Sequence, residues 1–509
     1  MEVEPGDLRA NKGVMFLKDE YIPIFRQPYF QGLPESFVPV LLMRLIAGFT
    51  RQWHLSNGLI IVWLSLMLKY FTFDQKSLKL DIIGKVLGHN FSTKLSYLLL
   101  IGHSVIACKY LPEGRIQFEH FAFVGMVYLL TDMVPRYALK SLTFAEAFTL
   151  STVVVVYASF SVRQLLYPVA SSVGSTSLNA AMFLPWAFLL LGIFIWWILG
   201  RLLNSALAFT VATVVVMGCI ATLLTTRPDL LARTVQVVME PQCIQMTLYL
   251  AVTLIIGLAI LFDVSHEPHE QVLKLGIKLD NMYHRKLFHV LGLLLYTPMH
   301  ASIFKDRSMF EFLVLSQNLV TVLMIYIELT RFANLGNSVG VFLTNVFSRF
   351  ADTREHAEKR LLLTHLYLLI GLGLATNITF ILLNGGFADG VMTVFAFSGV
   401  AFLGILDTLA AVIGKTLGST PWRENAHKKT FEGTIYSFIF TVICYYVFCA
   451  RVYDQFCTMF LIVFFATFFT GILEGWTSQF DNLVCPIFYF IALHQLYDYF
   501  MSFEPPTYY

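Results

Sequence analysis

The most regular feature of the chain is a succession of apolar runs, each long enough to cross ~30 Å of hydrocarbon as a helix. They lie near 57–72, 95–111, 119–135, 142–160, 180–199, 202–225 and 244–263. A second set lies near 287–304, 309–330, 361–383, 391–414, 434–450, 456–473 and 484–501. None shows the sustained period-two alternation that a membrane strand requires. The pattern predicts an all-α, polytopic transmembrane helical bundle of about fourteen spans. A shorter apolar segment at 37–50 carries Arg44 and is expected to form an interfacial helix within a polar N-terminal segment, 1–56. The polar stretch 264–286 then connects an N-terminal multi-span membrane region, 57–263, to a C-terminal membrane domain, 287–501.

Composition agrees with the pattern. The 509 residues are 57% hydrophobic and 13% charged, with a mean hydropathy of +0.68, whereas a soluble chain carries about 25% charged residues. A net charge of +2 without a basic stripe interleaved with aromatics gives no sign of a nucleic-acid partner. The seven cysteines are scattered through apolar segments with no C-x-x-C pair, so neither a zinc site nor a disulfide framework is indicated. The first ~35 residues lack a basic region leading into an apolar one, so an internal span is expected to direct insertion.

How the charge is distributed says more than its total. Sorting the loops by alternation places Arg136, Lys140, Arg201, Lys274, Arg285, Lys286, Arg331, Arg349, Lys359, Arg360, Lys415, Lys428 and Lys429 on one side, with the cluster Lys76 to Lys94. The other side collects only Lys109, Arg115, Arg163, Arg227, Arg233, Lys305, Arg307 and Arg451. By the positive-inside rule the basic side is cytosolic, and the N-terminus falls outside the cytosol unless 37–50 also spans. The sequons at Asn90 and Asn377 fall on the cytosolic side and within a span, so neither is read as a glycosylation site.

Four loops of the basic side, 274–286, 331–360, 415–433 and 474–483, are dense in functional groups. Asp407 sits inside an apolar run, where a carboxylate costs about 2.5–3.5 kcal/mol on insertion scales and is normally turned toward protein or water. Ala410, Gly414 and Gly418 follow it on one helix face; alone, such a row reads more readily as close helix packing than as a ligand site. Gly414-Lys415-Thr416 is not a P-loop, because Leu409 stands where the first glycine belongs. In His427-Lys428-Lys429-Thr430-Phe431-Glu432-Gly433-Thr434, Thr430 is a plausible N-cap, and two lysines beside a helix N-terminus suit a polyphosphate. The competing reading is a pair of interfacial lysines. Glu474 and Asp481 are the carboxylates of the last loop, with Gln479 and Asn482 as further oxygen donors, a set that suits Mg²⁺ shared with phosphate or an ordinary polar loop. Arg285, Lys286 and His289 stand at the start of one span, Glu328 and Arg331 at the end of another, and His365 near the start of a third. Each of these is weak alone.

Together the motifs resemble the CTP-dependent polyprenol kinase family. The resemblance rests on Asp407-x-x-Ala410-x-x-x-Gly414-x-x-x-Gly418, Lys428-Lys429-Thr430-x-Glu432-Gly433, Arg285-Lys286-x-Phe288-His289, Leu363-Thr364-His365-x-Tyr367 and the segment Glu474 to Leu483. It covers roughly 283–490, and two departures concern loop shape: a slightly long gap between Gly418 and Lys428, and Gly475 where alanine is commoner. The resemblance implies transfer of the γ-phosphoryl of CTP to the terminal hydroxyl of dolichol, giving dolichyl phosphate for protein glycosylation at the endoplasmic reticulum membrane. In that reading Lys428 and Lys429, with Gly414, Gly418, Thr430 and Gly433, hold CTP, and Asp407 and Asp481 bind Mg²⁺. Glu432 or Glu474 orients or deprotonates the alcohol, while Arg285, Lys286, His289 and His365 lie on the substrate side. Alternatives are kinases of phytol, farnesol or diacylglycerol, which resemble only the C-terminal half, and a CDP-diacylglycerol synthase, whose paired-aspartate signature is absent. A membrane transporter would explain the spans and Asp407 but not the gathering of polar motifs on one face.

Overall fold

The computed structural model describes residues 35–50, 53–78, 98–103, 114–137, 141–166, 173–265, 281–303, 305–335, 337–347, 361–383, 389–422, 429–452, 456–477 and 481–501. In chain order the helices are α1 (Val38–Thr50), α2 (Trp53–Leu78), α3 (Gly114–Tyr137), α4 (Phe144–Leu166), α5 (Val173–Leu199) and α6 (Ser205–Thr226). They continue with α7 (Pro228–Val238), α8 (Pro241–Ser265), α9 (Asn281–Ile303), α10 (Arg307–Ala333), α11 (Ser338–Phe347) and α12 (Thr364–Leu382). The last five are α13 (Gly390–Ala401), α14 (Thr408–Thr416), α15 (Phe431–Val452), α16 (Phe456–Trp476) and α17 (Asp481–Met501). Between α13 and α14 the chain stays helical through a π-helical segment, Phe402–Asp407. No strand occurs among the described residues; the one extended pairing is an isolated bridge between Pro421 and Thr430.

The chain is a multi-pass, all-α membrane protein. Nine helices among the described residues are long and apolar enough to cross a membrane, or ten if the pair α7–α8, bent by 72°, is one broken span. The expected runs fall on helices wherever they are described, and the run at 95–111 lies mostly outside the described residues. Helix starts follow local chemistry. Asn204, Asp306 and Asp389 each accept a bond from a backbone N–H of the first turn, at 2.8, 2.9 and 2.8 Å. Thr143 and Glu146 form a reciprocal capping box, with Thr143 N donating to Glu146 Oε2 at 2.9 Å and Glu146 N to Thr143 Oγ1 at 3.3 Å.

The N-terminal and C-terminal halves share one apolar core. α1 is seated in it, with Val40, Leu42 and Ile46 buried and Arg44 exposed. Because lipid gives no hydrophobic drive between helices, polar ties across the halves contribute to their docking. Trp186 Nε1 on α5 donates to Asn318 Oδ1 on α10 at 2.8 Å, and Asn377 Nδ2 on α12 donates to the same oxygen at 2.9 Å. Leu361 N donates to Ser141 Oγ at 3.1 Å, and the Tyr367 hydroxyl to Glu146 Oε2 at 3.3 Å.

Candidate active site

Asp407 ends the π-helical segment, about 13 Å along the helix from its C-terminal residue Thr416 at 1.5 Å per residue. The wider turn is held by Thr408 Oγ1, which donates five residues back to the Leu403 carbonyl at 2.9 Å. Such a bulge shifts the residues after it around the helix axis and is frequent at functional sites. Gly404 within it lets α9 approach, since a Cβ there would stand 2.8 Å from the Leu293 side chain. α9 thereby brings Lys286 and His289, three residues apart on one face, onto the aspartate. Lys286 Nζ lies 2.6 Å and His289 Nε2 3.2 Å from Asp407 Oδ2.

A second close approach fixes the other wall. At Gly371 of α12 a Cβ would fall 2.2 Å from the Asn482 carbonyl oxygen, and at Gly399 of α13 it would fall 2.4 Å from the Gly371 oxygen. Three helices therefore meet nearly backbone to backbone, and Asn482 is carried to His289, with Oδ1 3.1 Å from Nε2. The other ring nitrogen, Nδ1, faces the Arg285 carbonyl at 3.0 Å, so the ring is held from both ends.

Lys429 joins the last loop to this wall. Its Nζ lies 2.7 Å from Glu474 Oε1 and 3.0 Å from Asp481 Oδ2, and donates to the Glu474 carbonyl at 2.7 Å. Burial alone would lower the Lys429 ammonium, but the carboxylates of Asp481 and Glu474 hold it above the ordinary lysine value, so it stays charged. Asp481 opens α17, where a carboxylate also faces the positive end of the helix dipole. One carboxylate oxygen each from Asp407, Glu474 and Asp481 lie within 4.8 Å of one another. An all-oxygen, carboxylate donor set suits a hard divalent cation such as Mg²⁺, which needs only one or two protein carboxylates when phosphate oxygens supply the rest.

Thr430 caps α15 as its position suggests, accepting from Gly433 N at 3.2 Å. Gly414, Gly418 and Gly433 lie at the crossing of α14 with the start of α15. A Cβ at Gly433 would be 2.6 Å from the Ala410 oxygen, and one at Gly418 would crowd Thr430 and the Gly414 carbonyl. These small residues face one another across a tight helix contact. Glu432 ties down the preceding turn, accepting from Ser419 Oγ at 2.6 Å and from Thr420 N at 3.1 Å. Trp422, which the sequence did not single out, stacks on Phe431 at 3.9 Å and donates through Nε1 to Thr434 Oγ1 at 2.9 Å. Its ring occupies the space beside Gly475, where a Cβ would be 2.6 Å from Nε1. His365 stacks on Phe347 at 5.1 Å, and Lys428 lies outside the described residues.

Comparison with curated proteins settles which family this resembles. The dolichol kinases of Bos taurus and Homo sapiens are each 30% identical over 213 residues, 41% of this chain and 37% of theirs. The chain is similar to dolichol kinases. That of Saccharomyces cerevisiae is 31% identical over 213 residues, 41% of this chain and 36% of its own. The resemblance read from the motifs is thus borne out by proteins that carry the dolichol kinase name, although the match spans little more than a third of their length. No family model matches the chain, and no solved structure matches it.

Proposed function

We propose that the chain is a dolichol kinase that transfers the γ-phosphoryl of CTP to the terminal hydroxyl of dolichol, at a site open to the cytosolic face of the endoplasmic reticulum membrane. The observation that carries this is the convergence of Asp407, Glu474 and Asp481 with Lys286 and Lys429 from four separate stretches of chain. The cytosolic orientation rests on the basic loops that surround the same residues.

Phosphoryl transfer needs positioning and charge neutralisation more than covalent help from the protein. Asp407 and Asp481 would hold Mg²⁺, which when bound neutralises charge on the phosphate oxygens. Lys429, at the more exposed side of the cluster, and Lys428 beside it would pair with the triphosphate. The alcohol oxygen forms a bond to the γ-phosphorus as the bond from that phosphorus to the bridging oxygen breaks, and CDP leaves. Glu474 takes the hydroxyl proton; Glu432 is occupied by Ser419 and Thr420. Lys286 and His289 hold Asp407 in place from the α9 side. The α14–α15 crossing and the Glu432 tie hold Ser419 and Thr420 against the start of α15, next to Lys429.

The test incubates the purified full chain with γ-labelled CTP, Mg²⁺ and a panel of dolichol, farnesol, phytol and diacylglycerol. Label in dolichyl phosphate, dependent on Mg²⁺, is expected. Label in none of the lipids would overturn the kinase reading, and label in diacylglycerol alone would overturn the substrate.

A further inference from the structure

Outside the charged site the bundle holds a cavity of about 140 Å³ between the two halves. It is lined by Leu150 and Val154 of α4, Leu189 and Ile193 of α5, and Leu366 and Ile370 of α12. The charged residue on its wall, Glu328 of α10, is satisfied. Its Oε1 accepts from Arg331 Nη2 at 2.7 Å and from Leu362 N at 2.6 Å, and its Oε2 from Arg331 Nε at 2.8 Å. Apart from the satisfied Glu328 and the Ser151 hydroxyl, the lining is aliphatic and aromatic. About two turns along α10 and α12 from the cavity residues Ile325 and Ile370, Asn318 and Asn377 are bonded to each other and to Trp186.

Its position relative to the site is what gives it meaning. Ile370 faces the cavity, while the next residue, Gly371, is pressed against Asn482 beside Asp481. A single helix, α12, separates the two, and Leu361 and Leu363, which lead into α12, also line the cavity. Glu328 and Leu361, both on the cavity wall, flank the basic stretch 331–360 in the sequence. An unfilled cavity forfeits the dispersion contacts of its walls, so a chain that fills it is held there even without a hydrophobic drive.

We infer that this cavity receives a stretch of the isoprenoid chain of the lipid alcohol, behind the hydroxyl end that reaches the Asp407 cluster past the start of α12. The inference rests on the kinase reading and gives the N-terminal half, through α4 and α5, a part in selecting chain length. The same hydrocarbon chemistry is offered by an acyl chain of a bilayer lipid, and the experiment separates the two.

The test compares wild type with Ala147→Phe, which fills the cavity from α4, on a long polyprenol and on a two-isoprene alcohol too short to reach from the site. The variant is expected to raise KM for the long alcohol about tenfold, with the short alcohol and CTP unchanged. Equal losses on both alcohols, or no change on either, overturn the inference. Transfer to the short alcohol by wild type reports on the kinase reading alone. A second arm needs no turnover and survives failure of that reading: in Ser151→Cys, labelling by an apolar maleimide in phosphatidylcholine vesicles should slow when the long polyprenol is added. Labelling that is indifferent to the polyprenol means the cavity holds bilayer acyl chain or nothing, and overturns the inference.

Discussion

Two buried ionic networks in this molecule use the same residue types to different ends. Glu328 and Arg331 stand three residues apart on α10, and their bidentate pairing is completed by Leu362 N and by Thr344, to which Arg331 Nη1 donates at 3.2 Å. One acid meets one base on one helix, with single further bonds from α11 and from the stretch before α12. The Asp407 cluster draws instead on α9, the π-helical segment, the loop before α15, the end of α16 and the start of α17, and it carries more acids than lysines. Low dielectric penalises both networks unless they are satisfied. A closed pair meets that cost by itself and holds the fold; an acid-rich cluster near a loop-bearing face is suited to take a cation and a polyphosphate. What sets the Asp407 cluster apart is three carboxylates gathered with two lysines from distant stretches of chain.

Substitutions should separate the two. Asp481→Ala is expected to lower kcat about a thousandfold, a loss typical of removing a group that stabilises transition-state charge, with little change in the melting temperature in detergent. Glu328→Ala should do the reverse: about 3–5 kcal/mol of stability lost because the buried Arg331 loses its carboxylate partner, read as a lower melting temperature, with the folded fraction still active. If Glu328→Ala instead abolished turnover at unchanged stability, the contrast between the networks would fail. Glu432→Gln weakens the tie to Ser419 and Thr420 and should raise KM for CTP about tenfold with a smaller change in kcat. The smallest effect is expected from Gly475→Ala, which pushes against Trp422 and should cost a few-fold in activity, restored when Trp422→Ala is added; double-mutant analysis of the pair would measure the coupling.

Much of this was legible in the sequence. Nine of the about fourteen expected spans are helices of crossing length among the described residues, as run length predicts; the start of α15 followed from Thr430, and the gathering of Lys429, Glu474 and Asp481 from loops sorted to one side. Three features were not. The π-helical turn leaves no mark in hydropathy, so the sequence placed Asp407 in a span without indicating which neighbours it faces. Lys286 and His289 looked like residues of the substrate side, yet both contact Asp407, more than a hundred residues away, through a crossing that depends on Gly404 and Leu293. Glu432 and the row Gly414, Gly418 and Gly433 sit in a strong motif, but their contacts are with the loop and the adjacent helix, because a motif reports which residues occur together and not which way each points. Asn482, next to Asp481, was legible only as a further oxygen donor; its contact with His289 follows from Gly371 and Gly399.

The most direct test of the central claim is single-turnover transfer of label from γ-labelled CTP to dolichol by the purified full chain and by Asp407→Asn, with melting temperatures measured in the same detergent. The account predicts label transfer by wild type and a loss of at least about a hundredfold in the folded fraction of the variant, whatever lowering of the melting temperature follows from removing the charge that Lys286 pairs with. Transfer by Asp407→Asn at the wild-type rate would show that the reaction does not run through this cluster.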